Sequence, residues 1–389
     1  MVRKAAGTLL RCLRGNSYDR MEWAGAFGDM GTLVPFVLAY VTVLRVDPVG
    51  LLFAFALAKI VAGLYYRTPI PIQPMKAIGI ASTMQLGSVT PAMVWGAGVF
   101  TGLTWLVLGL TNTVDRVAAL ARPPVVRGMV LGLALSFMRE GLSTMHADPV
   151  VAVAAFLAAL LLLPNRRMPA MFALLILGLA VGLARHPALA AQVTQSIGLR
   201  LPHLGIPRLH LSDFVSGTLL LGLPQLPLTL GNAIIAIVAE NNELFPHRPI
   251  TVRKVAVSTG IINLAAPFFG GVPMCHGAGG MAGHVRFGAR TGGALVILGG
   301  LLLAATLLFG EGVTVAFRLF PAGVLGVILF FSGLELAATS KIWELPAGDF
   351  PLAIITTALA MWNMGTAFLV GVILWHASKR RWVHLAPAC

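Results

Sequence analysis

The sequence predicts an all-α polytopic membrane protein of about 14 transmembrane segments in a 7+7 inverted repeat. Three observations carry that prediction. Of 389 residues, 57% are hydrophobic and only 11% are charged, with a mean hydropathy of +0.86. A water-soluble chain carries about 25% charged residues, so most of this exterior faces lipid. Apolar stretches of span length follow one another with little chain left for a soluble domain. Basic residues fall in short clusters between those stretches and alternate in abundance from one connection to the next.

The first seven stretches lie near 23–44, 49–64, 69–87, 92–111, 124–140, 149–163 and 168–184, each bounded by charge, proline or a polar cluster. Residues 185–212, with Arg185, His186, Pro187, Arg200, Pro202, Pro207 and Arg208, form the longest polar connection and read as a linker between halves. The second seven lie near 213–239, 253–269, 272–285, 291–309, 313–334, 350–363 and 364–378. The organisation is therefore a cytoplasmic N-terminal tail at 1–20, a first repeat at 21–184, the linker, a second repeat at 213–378 and a cytoplasmic tail at 379–389. Val2 to Arg20 is basic but lacks an apolar core of signal-peptide length.

Placing the N-terminus inside assigns about twenty Lys and Arg residues to cytoplasmic connections and only six, Arg45, Arg139, Arg185, Arg200, Arg208 and Arg318, to the opposite side. Both termini are then cytoplasmic, the span number is even, and an odd number per half gives the halves opposite orientations. Internal similarity sits where that arrangement requires it. Ala26-Phe27-Gly28-Asp29 corresponds to Thr229-Leu230-Gly231-Asn232, and Pro71-Ile72-Gln73-Pro74-Met75-Lys76-Ala77 to Gly271-Val272-Pro273-Met274-Cys275-His276-Gly277, both at an offset of about 200 residues.

The net charge of +14 has no contiguous basic face or reading motif behind it, so nucleic acid is not a partner. Cys12, Cys275 and Cys389 are too few and dispersed for a disulfide framework or a CxxC zinc site. Cys275, His276 and His284 lack a fourth ligand or zinc spacing, so neither a metal nor a cofactor is expected. No nucleotide-hydrolysis or serine-hydrolase motif occurs in suitable context.

The third and tenth segments are short, proline-punctuated and rich in small residues, the signature of discontinuous transmembrane helices. Extended backbone over 70–74 and 270–273 leaves helix-start N–H groups near Met75 to Ala77 and Met274 to Gly277 that must find acceptors inside the membrane. Two such starts facing each other make an anion site at the bilayer midplane. Lys76, in the first turn of one of them, opposes the helix dipole and needs an anionic partner, either Asp29 or a substrate. Asp29, between glycines deep in the first span, is either a proton-carrying coupling group or a structural acid.

In the eighth span Pro224 and Pro227 are expected to break the helix, while Gln225, Thr229 and Asn232 offer uncharged donors suited to an oxyanion that must later be released. Their alternative role is interhelical hydrogen bonding. Glu240 and Glu243 read as a solvated cap or gate at its cytoplasmic end. His276 is a donor to an anion or a proton site. Gly277, Gly279, Gly280 and Gly283 read as packing that lets the third and tenth segments approach. Lys59, Arg139, Glu140, Glu335 and Lys341 read as paired or interfacial.

These motifs together resemble those of the MOT1-type molybdate transporters, relatives of the sulfate permease (SulP) family, over most of the chain. The resemblance rests on residues 25–32, 71–77, 225–232 and 273–280, with His284, Arg286, Phe287, Gly288 and Arg290 following. It implies uptake of molybdate by a sulfate-permease and uracil-permease type of fold, with spans one to four and eight to eleven as a core domain and the rest as a gate. This chain ends soon after its last span, so a regulatory STAS domain is not expected.

The site is thus expected to comprise Gln73, Met75, Lys76, Gln225, Thr229, Asn232, Met274, Cys275, His276 and Gly277, with Asp29 as coupling group. The expected activity is secondary transport of a tetrahedral dianion, molybdate first, with sulfate and tungstate sharing its chemistry. An inside-negative potential opposes dianion entry by about 2.3 kcal/mol per charge for every 100 mV, so a symported cation, naturally a proton, is expected. The rival readings are a sulfate or nucleobase permease of the same fold and, in a different class, an intramembrane enzyme built on Asp29, Cys275 and His276. The expected location is a plasma membrane; a homodimer is an open possibility.

Overall fold

The computed structural model describes residues 15–42, 44–76, 78–79, 89–120, 122–165, 168–205, 209–380 and 382–383. Cys12, Ala77, Arg166, Arg167, Pro207, Arg208, Arg381, Cys389 and most of the third predicted segment beyond Gly79 lie outside them. In chain order the helices are α1 (Arg20–Ala26), α2 (Met30–Thr42), α3 (Pro48–Tyr66), α4 (Pro91–Leu110), α5 (Thr113–Leu120), α6 (Pro123–His146), α7 (Pro149–Leu162), α8 (Ala170–Arg185) and α9 (Pro187–Gln195). The last of these lies inside the connection read as a linker. There follow α10 (Leu211–Leu244), α11 (Val252–Ala265), α12 (Ala278–Arg286), α13 (Gly293–Phe309), α14 (Gly312–Arg318), α15 (Ala322–Ser340), α16 (Phe350–Trp362) and α17 (Met364–Lys379).

Local chemistry sets many of these boundaries. Asp47 accepts from the N–H groups of Val49 and Gly50, and Pro48 occupies the first turn, where its missing N–H costs nothing. Thr90, Thr251 and Asn363 cap α4, α11 and α17 in the same way. The 19 residues of α3 extend about 28 Å, close to the hydrocarbon thickness. Among the described residues, five helices are long and apolar enough to cross a membrane, and three bent helix pairs raise the number to eight. Val150, Leu161, Ile176, Leu369 and Ile373 are exposed on the outside of the helix bundle, as a lipid-facing surface requires.

The eighth predicted span departs from expectation: Pro224 and Pro227 do not break it. Helical structure runs from Leu211 to Leu244, with π segments at Thr218–Gly222 and Thr229–Ala236. Pro224 has no N–H for the Leu220 carbonyl, and that carbonyl lies in the first π segment, where the wider turn shifts bonding by one residue and lets the helix continue.

Four associations dominate the packing: α15 against α6, α13 against α3, α11 against α4, and α16 against α6. Bare backbone permits the closest approach. A Cβ on Gly28 would collide with the Gly283 carbonyl, and one on Gly283 would collide with the Gly28 carbonyl and come within 2.5 Å of Ser332 Oγ. Gly283→Ala should therefore lower the detergent unfolding midpoint, at a cost of about 1–3 kcal/mol. Gly300→Ala, with open space around it, should not; equal midpoints for the two variants would sink this reading. Glu22 adds a polar staple: its carboxylate accepts from the N–H groups of Arg290 at 2.9 Å, Thr291 at 2.8 Å and Ala294 at 3.1 Å, tying the first span to the start of α13.

Candidate functional site

Proline fixes the backbone at the centre of the bundle. The residue before a proline is held extended, and Pro71, Pro74 and Pro273 impose that on Ile70, Gln73 and Val272. Two short strands result, β1 (Gln73–Pro74) and β2 (Met274–Cys275), which pair antiparallel with Gln73 opposite Cys275 and Pro74 opposite Met274. Met75 N–H adds a bond to the Pro273 carbonyl at 2.9 Å. Pairing satisfies backbone groups that the membrane interior could not. Helical turns begin at Lys76 on one side and Ala278 on the other, so the second start lies just after the expected Met274 to Gly277.

The eighth span serves both helix starts. Ile78 N–H donates to Gln225 Oε1 at 3.3 Å, and Ala278 N–H donates to Asn232 Oδ1 at 3.2 Å. Gln225 Nε2 donates to Thr229 Oγ1 at 2.9 Å. Gln225, Thr229 and Asn232 follow at spacings of four and three, so one helix face presents them all, and all three are buried. Gln73 Nε2 donates to Thr32 Oγ1 at 2.6 Å, while Gln73 Oε1 has no hydrogen-bond partner among the described residues. Gly277 and Gly280 press against that same amide, leaving no room for a side chain.

Lys76 is partly buried, with its ammonium 3.7 Å from the centroid of the Phe137 ring. Among the described residues no carboxylate lies within ion-pair distance of it. The alternative that Asp29 neutralises Lys76 is corrected by the structure. Asp29 Oδ2 pairs with Lys59 Nζ at 2.8 Å, both side chains fully buried, and His284 Nε2 stands 3.6 Å from the same oxygen. His284 Nδ1 donates to the Gly25 carbonyl at 2.7 Å, since a carbonyl can only accept.

Met75 and Met274 are fully buried, and the free thiol of Cys275 is buried beside them. Asn263, which sequence reasoning missed, clamps β2: its Oδ1 accepts from Met274 N–H at 2.8 Å and its Nδ2 donates to the Met274 carbonyl at 2.7 Å. The available signal was Thr259 and Asn263, polar residues four apart in an apolar segment. His276 takes a bracing position. Its Nδ1 donates to the Pro71 carbonyl at 3.0 Å, and its Nε2 bonds Ser258 Oγ at 2.7 Å, which in turn lies 2.5 Å from the Tyr66 hydroxyl.

The glycines divide differently from expectation. Gly277 and Gly280 admit the third segment, Gly279 clears space for Phe137, and Gly283 meets Gly28 of the first span. Of the two acids read as a solvated cap or gate, Glu243 pairs with Lys341, whereas Glu240 is buried. The arrangement is two helix starts facing uncharged amides beside an ammonium that has no carboxylate within ion-pair distance among the described residues, which suits an anion.

A family profile described as "Molybdate transporter of MFS superfamily" matches residues 21–137 and 217–336. The chain is 31% identical to Molybdate transporter 2 of Arabidopsis thaliana over 97% of its own length and 91% of that protein's. It is 27% identical to Molybdate transporter 1 of Chlamydomonas reinhardtii over 90% of each. In fold it is similar to the murine Slc26a9 anion transporter in the inward-facing state, at a TM-score of 0.62 and 13% identity over 94% of this chain and 69% of that one. The transmembrane domain of a cyanobacterial bicarbonate transporter, BicA, gives a TM-score of 0.51 and 16% identity over 91% of this chain and 95% of that one.

Proposed function

The chain belongs to the molybdate transporter family, and from that premise we propose that it is a secondary active importer of molybdate coupled to protons. It is a membrane transporter with an anion-transporter fold, not an enzyme. The observation that carries the substrate reading is Lys76: a lysine at a helix start inside the membrane, held over Phe137, with Asp29 committed to Lys59 and Glu140 acting on it only from beyond ion-pair distance. A cation–π contact orients the ammonium without neutralising it, so the charge is available to a tetrahedral dianion. Gln73, Gln225, Thr229 and Asn232 surround the position with neutral hydrogen-bonding groups, and the two helix starts add their positive ends. The amide oxygens of Gln225 and Asn232 hold the N–H donors of Ile78 and Ala278 until an oxyanion displaces them.

The packing supports an inverted 7+7 arrangement. The pairs α3 with α13 and α4 with α11 are exchanged by the relation that also pairs β1 with β2, and α6 with α15 maps onto itself. On this reading the segments around β1 and β2 form a core that moves against a gate built on α6, α15 and α16, by an elevator-like or rocking motion. Asp29, paired with Lys59, fits the role of structural acid. Both termini lie in the cytoplasm and the compartment is the plasma membrane.

Binding of molybdate, sulfate, tungstate and uracil to the purified protein tests the substrate. Submicromolar molybdate binding that sulfate competes poorly is the expected result. Equal binding of sulfate, or binding of uracil alone, would replace molybdate with the corresponding rival.

A further inference from the structure

Glu240 is 1% exposed, and neither of its carboxylate oxygens has a hydrogen-bond or ion-pair partner among the described residues. It lines a cavity of about 270 Å³ shared with Val126 and Arg127 of α6, Glu243 of α10, Ser340 at the end of α15, and Lys341. The charged groups packed around it are committed elsewhere. Arg286 of α12 pairs with Glu335 of α15 at 3.3 Å, Arg127 pairs with Glu344 at 3.6 Å and donates to the Lys341 carbonyl at 2.7 Å, and Lys341 pairs with Glu243. Glu335 contributes a like charge.

A buried carboxylate without a counter-charge is among the least favourable groups a protein can hold, and the ordinary resolution is that it takes up a proton. A metal cation is a poor substitute. It needs several oxygen ligands, no group of three His, Cys, Asp or Glu side chains gathers among the described residues, and Arg127 and Lys341 share the cavity wall. Glu240 is on the helix that presents Asn232 to the Ala278 helix start, eight residues further on, or about 12 Å along the axis. The cavity lies where that helix meets α6 and α15, the surfaces that part when core and gate move.

We infer that Glu240 is a proton-binding site of the transport cycle, protonated while its carboxyl is buried behind the Glu243–Lys341 contact and releasing its proton to the cytoplasmic side when that contact opens. The inference rests on the proposed coupling of uptake to protons and assigns that role to a specific carboxyl group.

The test uses the full-length protein in liposomes. With one proton per molybdate, wild type should gain about tenfold accumulation per unit of inward pH gradient. Glu240→Gln should keep molybdate counterflow within about twofold of wild type and lose this gradient-driven gain, while Glu240→Asp, which keeps a titratable oxygen, should retain part of it. Infrared difference spectra, which need no substrate, should show the carbonyl stretch of a protonated acid in wild type and not in Glu240→Gln. Gradient-driven accumulation by Glu240→Gln equal to wild type, or an acid band unchanged by that substitution, would overturn the assignment. If wild type carries no molybdate, the substrate reading fails, and the infrared band still decides whether Glu240 holds a proton.

Discussion

Lys76→Ala should abolish high-affinity molybdate binding, weakening it by at least about thirtyfold, since removing one partner of a desolvated charge pair costs about 2–5 kcal/mol. The same substitution should leave the ligand-free protein at least as stable as wild type. Lys76 sits at a helix start and has no carboxylate within ion-pair distance among the described residues, so in the unliganded fold its charge is balanced only by the Phe137 ring and, from farther off, by Glu140. Lost binding with retained or raised stability is what a group kept for a ligand produces; a structural cation would lose both together. Cys275→Ala should bind close to wild type, because that thiol is buried and at most a weak hydrogen-bond donor. Isothermal titration with molybdate, paired with a detergent melting curve, reads both quantities. Unchanged molybdate affinity in Lys76→Ala would remove the site from the β1–β2 crossing.

The sequence made that crossing legible because its signals are backbone signals. Pro71, Pro74 and Pro273 forbid helix at fixed places, and a lysine inside a membrane segment demands a partner. Pattern alone did not give the partner. Lys59 and Asp29 are 30 residues apart in different helices, and nothing in either segment marks them as neighbours; Lys76 stands in an equally suggestive motif. Pro224 and Pro227 misled for the opposite reason, since proline rules describe α-helices, and this helix carries π segments on either side of them, the first of which holds the carbonyl that Pro224 leaves without a donor. His276 and Asn263 show a third case. Their roles follow from which carbonyls reach them, Pro71 for the first and Met274 for the second, and such pairings appear only once the two halves of the chain are packed together. Glu240 is the clearest instance. An acid near a charged helix end reads as solvated until the surrounding helices bury it.

The second large effect belongs to the Asp29–Lys59 pair. Asp29→Asn leaves the Lys59 ammonium fully buried without its 2.8 Å partner, and Lys59→Met leaves the Asp29 carboxylate with His284 alone. Each single substitution should destabilise the protein by about 3–5 kcal/mol, the range for breaking a buried pair from one side. The double variant Asp29→Asn/Lys59→Met removes both charges, so it should recover much of that loss, and a double-mutant cycle on detergent unfolding midpoints measures the coupling. Transport by the double variant then separates the two roles open to Asp29. As a structural acid, Asp29 is dispensable once its charge partner is also gone, and the double variant should still accumulate molybdate under an inward pH gradient. As the proton carrier, it is not, and the double variant should fold and exchange substrate yet ignore the gradient. The geometry favours the first outcome, because a carboxylate locked to a buried ammonium gains little from a proton, whereas Glu240 has no such partner. A stable double variant that exchanges molybdate but cannot be driven by protons would return the coupling role to Asp29 and make the lysine pair part of the switch.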